Sequence, residues 1–169
     1  MMLSKSELHN ELQQATEKLI TTISGVSEDI FNNKPAPEKW SAAEAAEHIY
    51  LTELLIVRLL RGKGVVPERE PDANMAPFME KFADVELKLT AFGPIIPNSK
   101  PKEKADLIKK IEGNRSMMAG YIDFHDLSEL LPAFKHPLFG ELTRYEWIQF
   151  NIHHGERHRK QIERVVSGL

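Results

Sequence analysis

The chain contains no cysteine among its 169 residues. That excludes a disulfide framework, a thiolate metal ligand and a thiol nucleophile together, and it fits a reducing compartment. Long apolar runs are also missing. No stretch approaches the ~18 uninterrupted apolar residues of a membrane span, and the opening segment MMLSKSELHNELQQ lacks the apolar core of a secretory signal. The expectation is a cytoplasmic protein with no membrane partner. Neither sign of charge dominates. A formal net charge of -3 gives no global attraction to nucleic acid or to an anionic surface. Glycine-rich phosphate loops, nucleophile-elbow patterns, internal repeats and low-complexity tracts are absent, and strand signals are weak throughout.

What is present is helical. The length fits one domain, residues 1–169, with enough chain for a real core. Three positions pair a Ser or Thr with a Glu three residues later, just before an apolar periodic segment: Ser4/Glu7, Ser41/Glu44 and Thr143/Glu146. This is the capping-box pattern, in which two side chains satisfy backbone donors left over at a helix start. The first helix is expected over residues 4–24 with Leu8, Leu12, Ala15, Leu19 and Ile23 as its inner stripe. A second is expected over residues 41–61, a third over residues 101–124 and a fourth over residues 143–166.

Between the second and third, Pro67, Pro71, Pro77, Pro94 and Pro97 mark a long crossover, with a short helix around residues 79–89. Residues 131–142 read as a second irregular connection. Four amphipathic helices with extended connections predict an all-α four-helix bundle with long crossovers.

The chemistry-bearing pattern is His154-Gly155-Glu156-Arg157-His158, read against the isolated His48. Residues four apart on a helix sit one above the other, close enough to share one ion. Advancing ~100° per residue groups His154 and His158 with Trp147, Phe150, Gln161, Ile162 and Val165. His48 falls with Ala45, Thr52, Leu55, Ile56 and Leu59 on the second helix. His153 turns away, toward Gln149, Glu156 and Lys160, and is excluded as a ligand.

Spacing alone leaves a second reading open, two core histidines with ordinary hydrogen-bond partners. The three together, all phased inward, favour a metal site with His48, His154 and His158 as ligands. Three protein ligands leave a coordination position free, as catalytic sites require. Glu44, Asn151 and Gln161 are expected to orient the rings. His9, His125 and His136 are expected at a helix surface and at two loop-proximal positions. The basic end of the fourth helix, Arg157, Arg159, Lys160 and Arg164, reads as a solvated face that opposes the helix dipole, and Met117-Met118 as core filler.

At two segments the chain resembles the DinB-like superfamily, which includes YfiT-type metal-dependent hydrolases. The first segment is Trp40-Ser41-Ala42-Ala43-Glu44-Ala45-Ala46-Glu47-His48. The second runs from His136-Pro137-Leu138-Phe139-Gly140-Glu141-Leu142-Thr143 through Glu146-Trp147 to His154, Arg157, His158 and Gln161-Ile162. The resemblance implies a four-helix bundle that holds a divalent ion, often nickel or zinc, at one end of an interior cleft. Its ligands map onto His48, His154 and His158. It also implies a homodimer. The activities known in the superfamily include S-transfer from low-molecular-weight thiols and isomerisation of a thiol adduct.

The expected function is therefore a metal-dependent hydrolase or thiol S-transferase acting on a small molecule. The alternative is a non-catalytic metal-binding or stress-response module acting as a dimer. No catalytic acid, base or nucleophile is assignable, and imidazole ligands suit zinc, nickel, copper and iron alike.

Overall fold

Each Ser/Thr–Glu pair closes as a capping box. Ser4 starts helix α1 (Lys5–Gly25), Ser41 starts α3 (Ala42–Leu60) and Thr143 starts α6 (Arg144–Ser167). In each, the hydroxyl accepts from the backbone N–H of the Glu, whose carboxylate accepts in return at 2.8–2.9 Å. A cap of this kind is worth ~1 kcal/mol. The computed structural model describes residues 1–83 and 90–169. Between α1 and α3 lies the one-turn helix α2 (Glu28–Phe31). After α3 come α4 (Met75–Ala83), a 3₁₀ turn (Gly93–Ile95) and α5 (Lys104–Phe124). Strands β1 (Leu130–His136) and β2 (Gly140–Thr143) then lead directly into α6.

Helices α1 and α3 each pack on both α5 and α6, which makes a four-helix bundle with α1 and α3 across one diagonal. Two apolar clusters fill it. One gathers Leu8, Leu12, Ile56, Met118, Trp147 and Ile148; the other gathers Leu19, Ile23, Ile49, Leu107, Ile111 and Ile162. A polar layer separates them. Thr16 of α1, Thr52 and Glu53 of α3, Asn114 and Arg115 of α5, and His154 of α6 lie between the two clusters along their helices, and the buried Asn151 joins them at the edge of the first cluster, one turn before His154. Burying such groups is unfavourable unless they pair, so this layer marks where the fold spends stability.

Three expectations are corrected. Residues 131–142, read as irregular, largely form a β-hairpin: β1 and β2 pair antiparallel, with Leu131 opposite Leu142 and His136 opposite Gly140. Pro132 and Pro137 obscured it, and the register indeed breaks between Leu131 and Lys135. Gly140 takes φ +70, a left-handed value that suits glycine. The short crossover helix starts earlier than expected, at Met75, with Pro77 in its first turn where a missing N–H costs nothing. The remainder of its expected span, residues 84–89, lies outside the described residues. Of the methionine pair, Met118 is core but Met117 is half exposed.

The crossover is tied down at both ends. Arg69 grips Glu146 through two hydrogen bonds of 2.8 and 2.7 Å, and the Asn74 N–H donates to the same carboxylate. Further along, the Asn98 N–H and side-chain amide both donate to Glu47 of α3. That second tie lays the 3₁₀ turn against α3, beside His48.

Candidate metal centre

Helix α3 carries His48 and the facing helix α6 carries His154 and His158. Their ring nitrogens come together: one donor atom from each lies within 4.8 Å of the other two. The Nε2 atoms of His48 and His154 stand 3.1 Å apart. Two nitrogens each bonded to a zinc ion at ~2.0–2.1 Å are separated by about 3–3.4 Å, so this pair is spaced to bind one ion. The helical phase argument therefore selected the three histidines that the fold assembles. His153 is outside the cluster, with its ring against Phe82 at 6.2 Å.

The partners of the other ring nitrogens fix the tautomers. His48 Nδ1 lies 2.7 Å from the Ile95 carbonyl oxygen, so it donates and leaves Nε2 bare. His158 Nδ1 lies 2.7 Å from Gln161 Oε1 and does the same. Gln161 plays the orienting part expected of it. Glu44 does not: its carboxylate is committed to the Ser41 cap and to Lys34, at 2.9 Å each. The Ile95 carbonyl takes its place, delivered by the 3₁₀ turn. The Asn151 side-chain amide, although it stands beside Glu53, has no partner in hydrogen-bonding geometry, and neither does His154 Nδ1.

Electrostatics keep the cluster neutral. Burial pushes the pKa of all three rings down, that of His158 to about 3; His158 and His48 further disfavour charge on His154, and His48 does so on His158. Neutral imidazole is the form that binds metal. Because an unfolded histidine titrates near ~6.5, the unfolded chain binds more protons than the native one below that pH. Stability of the metal-free protein therefore falls as pH drops from about 6.5 toward 3. Urea midpoints measured between pH 7.5 and 4 are expected to decline more steeply for the wild type than for a variant with all three histidines replaced by alanine. Equal slopes would contradict the buried-neutral assignment.

Aromatic rings wall the cluster. Trp40 lies against His48 with ring centroids 4.9 Å apart, and Phe150 stacks on His154 at 5.4 Å. His136, at the hairpin end of β1, also packs against Phe150 at 4.9 Å, and burial lowers its pKa to about 4. His9 pairs with Asp123 at the surface and His125 caps α5, as expected. In the basic end of α6, Arg159 is held by Glu156 and Glu163.

Glu53 and Arg115 carried no sequence signal. They form an ion pair, Arg115 Nε to Glu53 Oε1 at 2.8 Å, with the carboxylate wholly buried. Gly155, between the two α6 histidines' turns, makes room for it: a Cβ there would meet Arg115 Nη2 at 2.6 Å.

Among known proteins, the uncharacterised protein YuaE of Bacillus subtilis (strain 168) is 26% identical over 157 residues, spanning 87% of this chain and 90% of the relative. The crystal structure of TT2238, a four-helix bundle protein, superposes with a TM-score of 0.60 at 18% identity, covering 95% of this chain and 99% of that one. That likeness establishes the fold. The sequence pattern of the DinB superfamily matches residues 11–162, a span that takes in the bundle and all three clustered histidines, and the chain belongs to that superfamily.

Proposed function

We propose that this protein is a divalent-metal-dependent enzyme whose ion is held by His48, His154 and His158. The observation that carries this reading is the convergence of three inward-facing imidazoles, two of them locked with Nε2 bare by a backbone carbonyl and a glutamine. A hydrogen-bonded pair would account for His48 and His154 alone at 3.1 Å, but not for the third imidazole whose ligand nitrogen joins them. When bound, such an ion acts as a Lewis acid and lowers the pKa of a coordinated water or thiol.

The chain's own residues supply the rest. His48, His154 and His158 remain neutral because burial disfavours their charged forms. Trp40 and Phe150 restrict water around them, which strengthens every electrostatic interaction inside. Three ligands from the protein leave positions for a small molecule. Nickel or zinc suits the donor set, and a low-molecular-weight thiol or a hydrolysable ester suits the chemistry. We place the protein in the cytoplasm as a homodimer; no helix among the described residues is long and apolar enough to cross a membrane.

The test is an assay of zinc- and nickel-loaded protein against activated esters, and against a simple thiol with an electrophilic acceptor. Metal-dependent turnover is expected in one of the two, reduced at least ~100-fold in the His48→Ala/His154→Ala/His158→Ala variant, since ligand loss exceeds the ~10–100-fold effect of an outer-shell change. A loaded protein that turns over neither substrate class and holds no exchangeable water would instead be a non-catalytic metal-binding module.

A further inference from the structure

Six buried side-chain polar atoms among the described residues have no hydrogen-bond partner, and four of them sit on three residues of the packed helices α3 and α6. They are Glu53 Oε2, Asn151 Nδ2, Asn151 Oδ1 and His154 Nδ1. All belong to the polar layer of the bundle. Glu53 and Asn151 are fully buried, and His154 is 7% exposed. Orphaned groups in such a place cost ~1–3 kcal/mol each, so four together call for an explanation.

Their chemistry is complementary. Glu53 Oε2 is an acceptor, Asn151 Nδ2 a donor, Asn151 Oδ1 an acceptor, and His154 Nδ1 a donor whenever its ring proton sits there. Asn151 lies close enough to Glu53 to favour its charged form. It also precedes His154 by three residues on α6, which places the two side chains on one face as neighbours. Without a cation, the single ring proton of His154 is needed at Nε2, where the bare Nε2 of His48 accepts it at 3.1 Å. A cation at Nε2 displaces that proton to Nδ1, where it requires an acceptor.

We infer that Asn151 and Glu53 form a buried relay that positions His154 for metal: His154 Nδ1–H donates to Asn151 Oδ1, and Asn151 Nδ2 donates to Glu53 Oε2. Arg115 anchors the far end through Glu53 Oε1, and its guanidinium fits because residue 155 is glycine. The relay buries no net charge, because Arg115 neutralises Glu53. It rests on the metal reading proposed above and adds to it a second function for the polar layer. Asn151 and Glu53 are positioning residues, since they act through His154.

The experiment measures zinc affinity by competition with a chelating dye, alongside nitrogen-15 NMR of the histidine rings. In the zinc-loaded wild type, His154 is expected to ligate through Nε2 and to show a slowly exchanging Nδ1 proton. Asn151→Leu is expected to weaken zinc 10–100-fold without lowering the melting temperature of the metal-free protein, because it removes two orphaned polar atoms from the core. A purely structural asparagine would show the opposite pattern, a lowered melting temperature with affinity retained.

Equal zinc affinity in Asn151→Leu and wild type, or zinc bound through His154 Nδ1, would overturn the relay while leaving the metal site standing. Absence of any zinc or nickel binding by the wild type would overturn the metal reading itself. If Asn151→Leu fails to fold, the wild-type proton signal decides the matter: a slowly exchanging His154 Nδ1 proton supports the relay and its absence overturns it.

Discussion

Replacing His154 with alanine is expected to abolish tight divalent-metal binding, while replacing its neighbour His153 leaves binding within a few-fold of wild type. The two residues are adjacent in sequence, equal in chemistry and ~100° apart around α6. His154 shares its Nε2 with His48 at 3.1 Å. His153 looks toward Phe82 and feels the charges of Glu11 and Glu156. The difference is large enough to read by thermal shift. An ion at ~1,000 times its Kd adds about 4.1 kcal/mol to the native state. For a chain of this length each kcal/mol raises Tm by ~2–4 °C. Zinc or nickel should therefore raise Tm by ~8–16 °C in the wild type and in His153→Ala, and not measurably in His154→Ala. Equal losses in both variants would mean that helical phase does not decide which histidine binds.

The second large effect concerns the polar layer. Arg115→Met strips Glu53, which has no solvent exposure, of its counter-charge. Breaking a buried pair from one side costs about 3–5 kcal/mol, a large share of the ~5–15 kcal/mol total stability of a typical domain. Arg115 also donates to Thr16 at 3.2 Å, so the variant unlinks α1 from the layer as well.

The loss carries a pH signature. Burial already raises the Glu53 pKa, and the Arg115 charge opposes that rise. Without Arg115 the native state takes up a proton at Glu53 that the unfolded chain, with a carboxyl pKa near ~4.3, does not. The gap between variant and wild type should therefore narrow as pH falls from 7 toward 5. Adding Glu53→Leu to Arg115→Met should restore most of the stability, because removing both charges leaves nothing unpaired. Urea midpoints at the two pH values test this. A loss under ~1 kcal/mol, or a gap that widens toward acid, would contradict the pairing.

How much of this was legible depends on the range of each interaction. The capping boxes of Ser4, Ser41 and Thr143 are complete within four residues, so the helix starts could be read directly. The three clustered histidines followed from phase, because each helix presents a fixed face to its neighbours. Ile95 was invisible: its contribution is a backbone carbonyl, which any residue could supply, placed by Asn98 gripping Glu47 from 51 residues away. That is why Glu44, the nearest carboxylate in sequence, was the wrong partner for His48. Glu53 was equally hidden. A glutamate on a helix reads as a surface charge, and only Arg115, 62 residues on, makes its burial tolerable. The hairpin failed for a different reason, since Pro132 and Pro137 interrupt the alternation by which strands are recognised.

The central claim is that His48, His154 and His158 bind a divalent ion, and metal content measures it most directly. The protein should be purified without chelator and without a nickel-affinity tag, beside the triple alanine variant, and analysed by elemental mass spectrometry. The account predicts close to one divalent ion per chain in the wild type and none in the variant. A wild type that holds no metal, even after incubation with zinc, nickel and manganese, would contradict it.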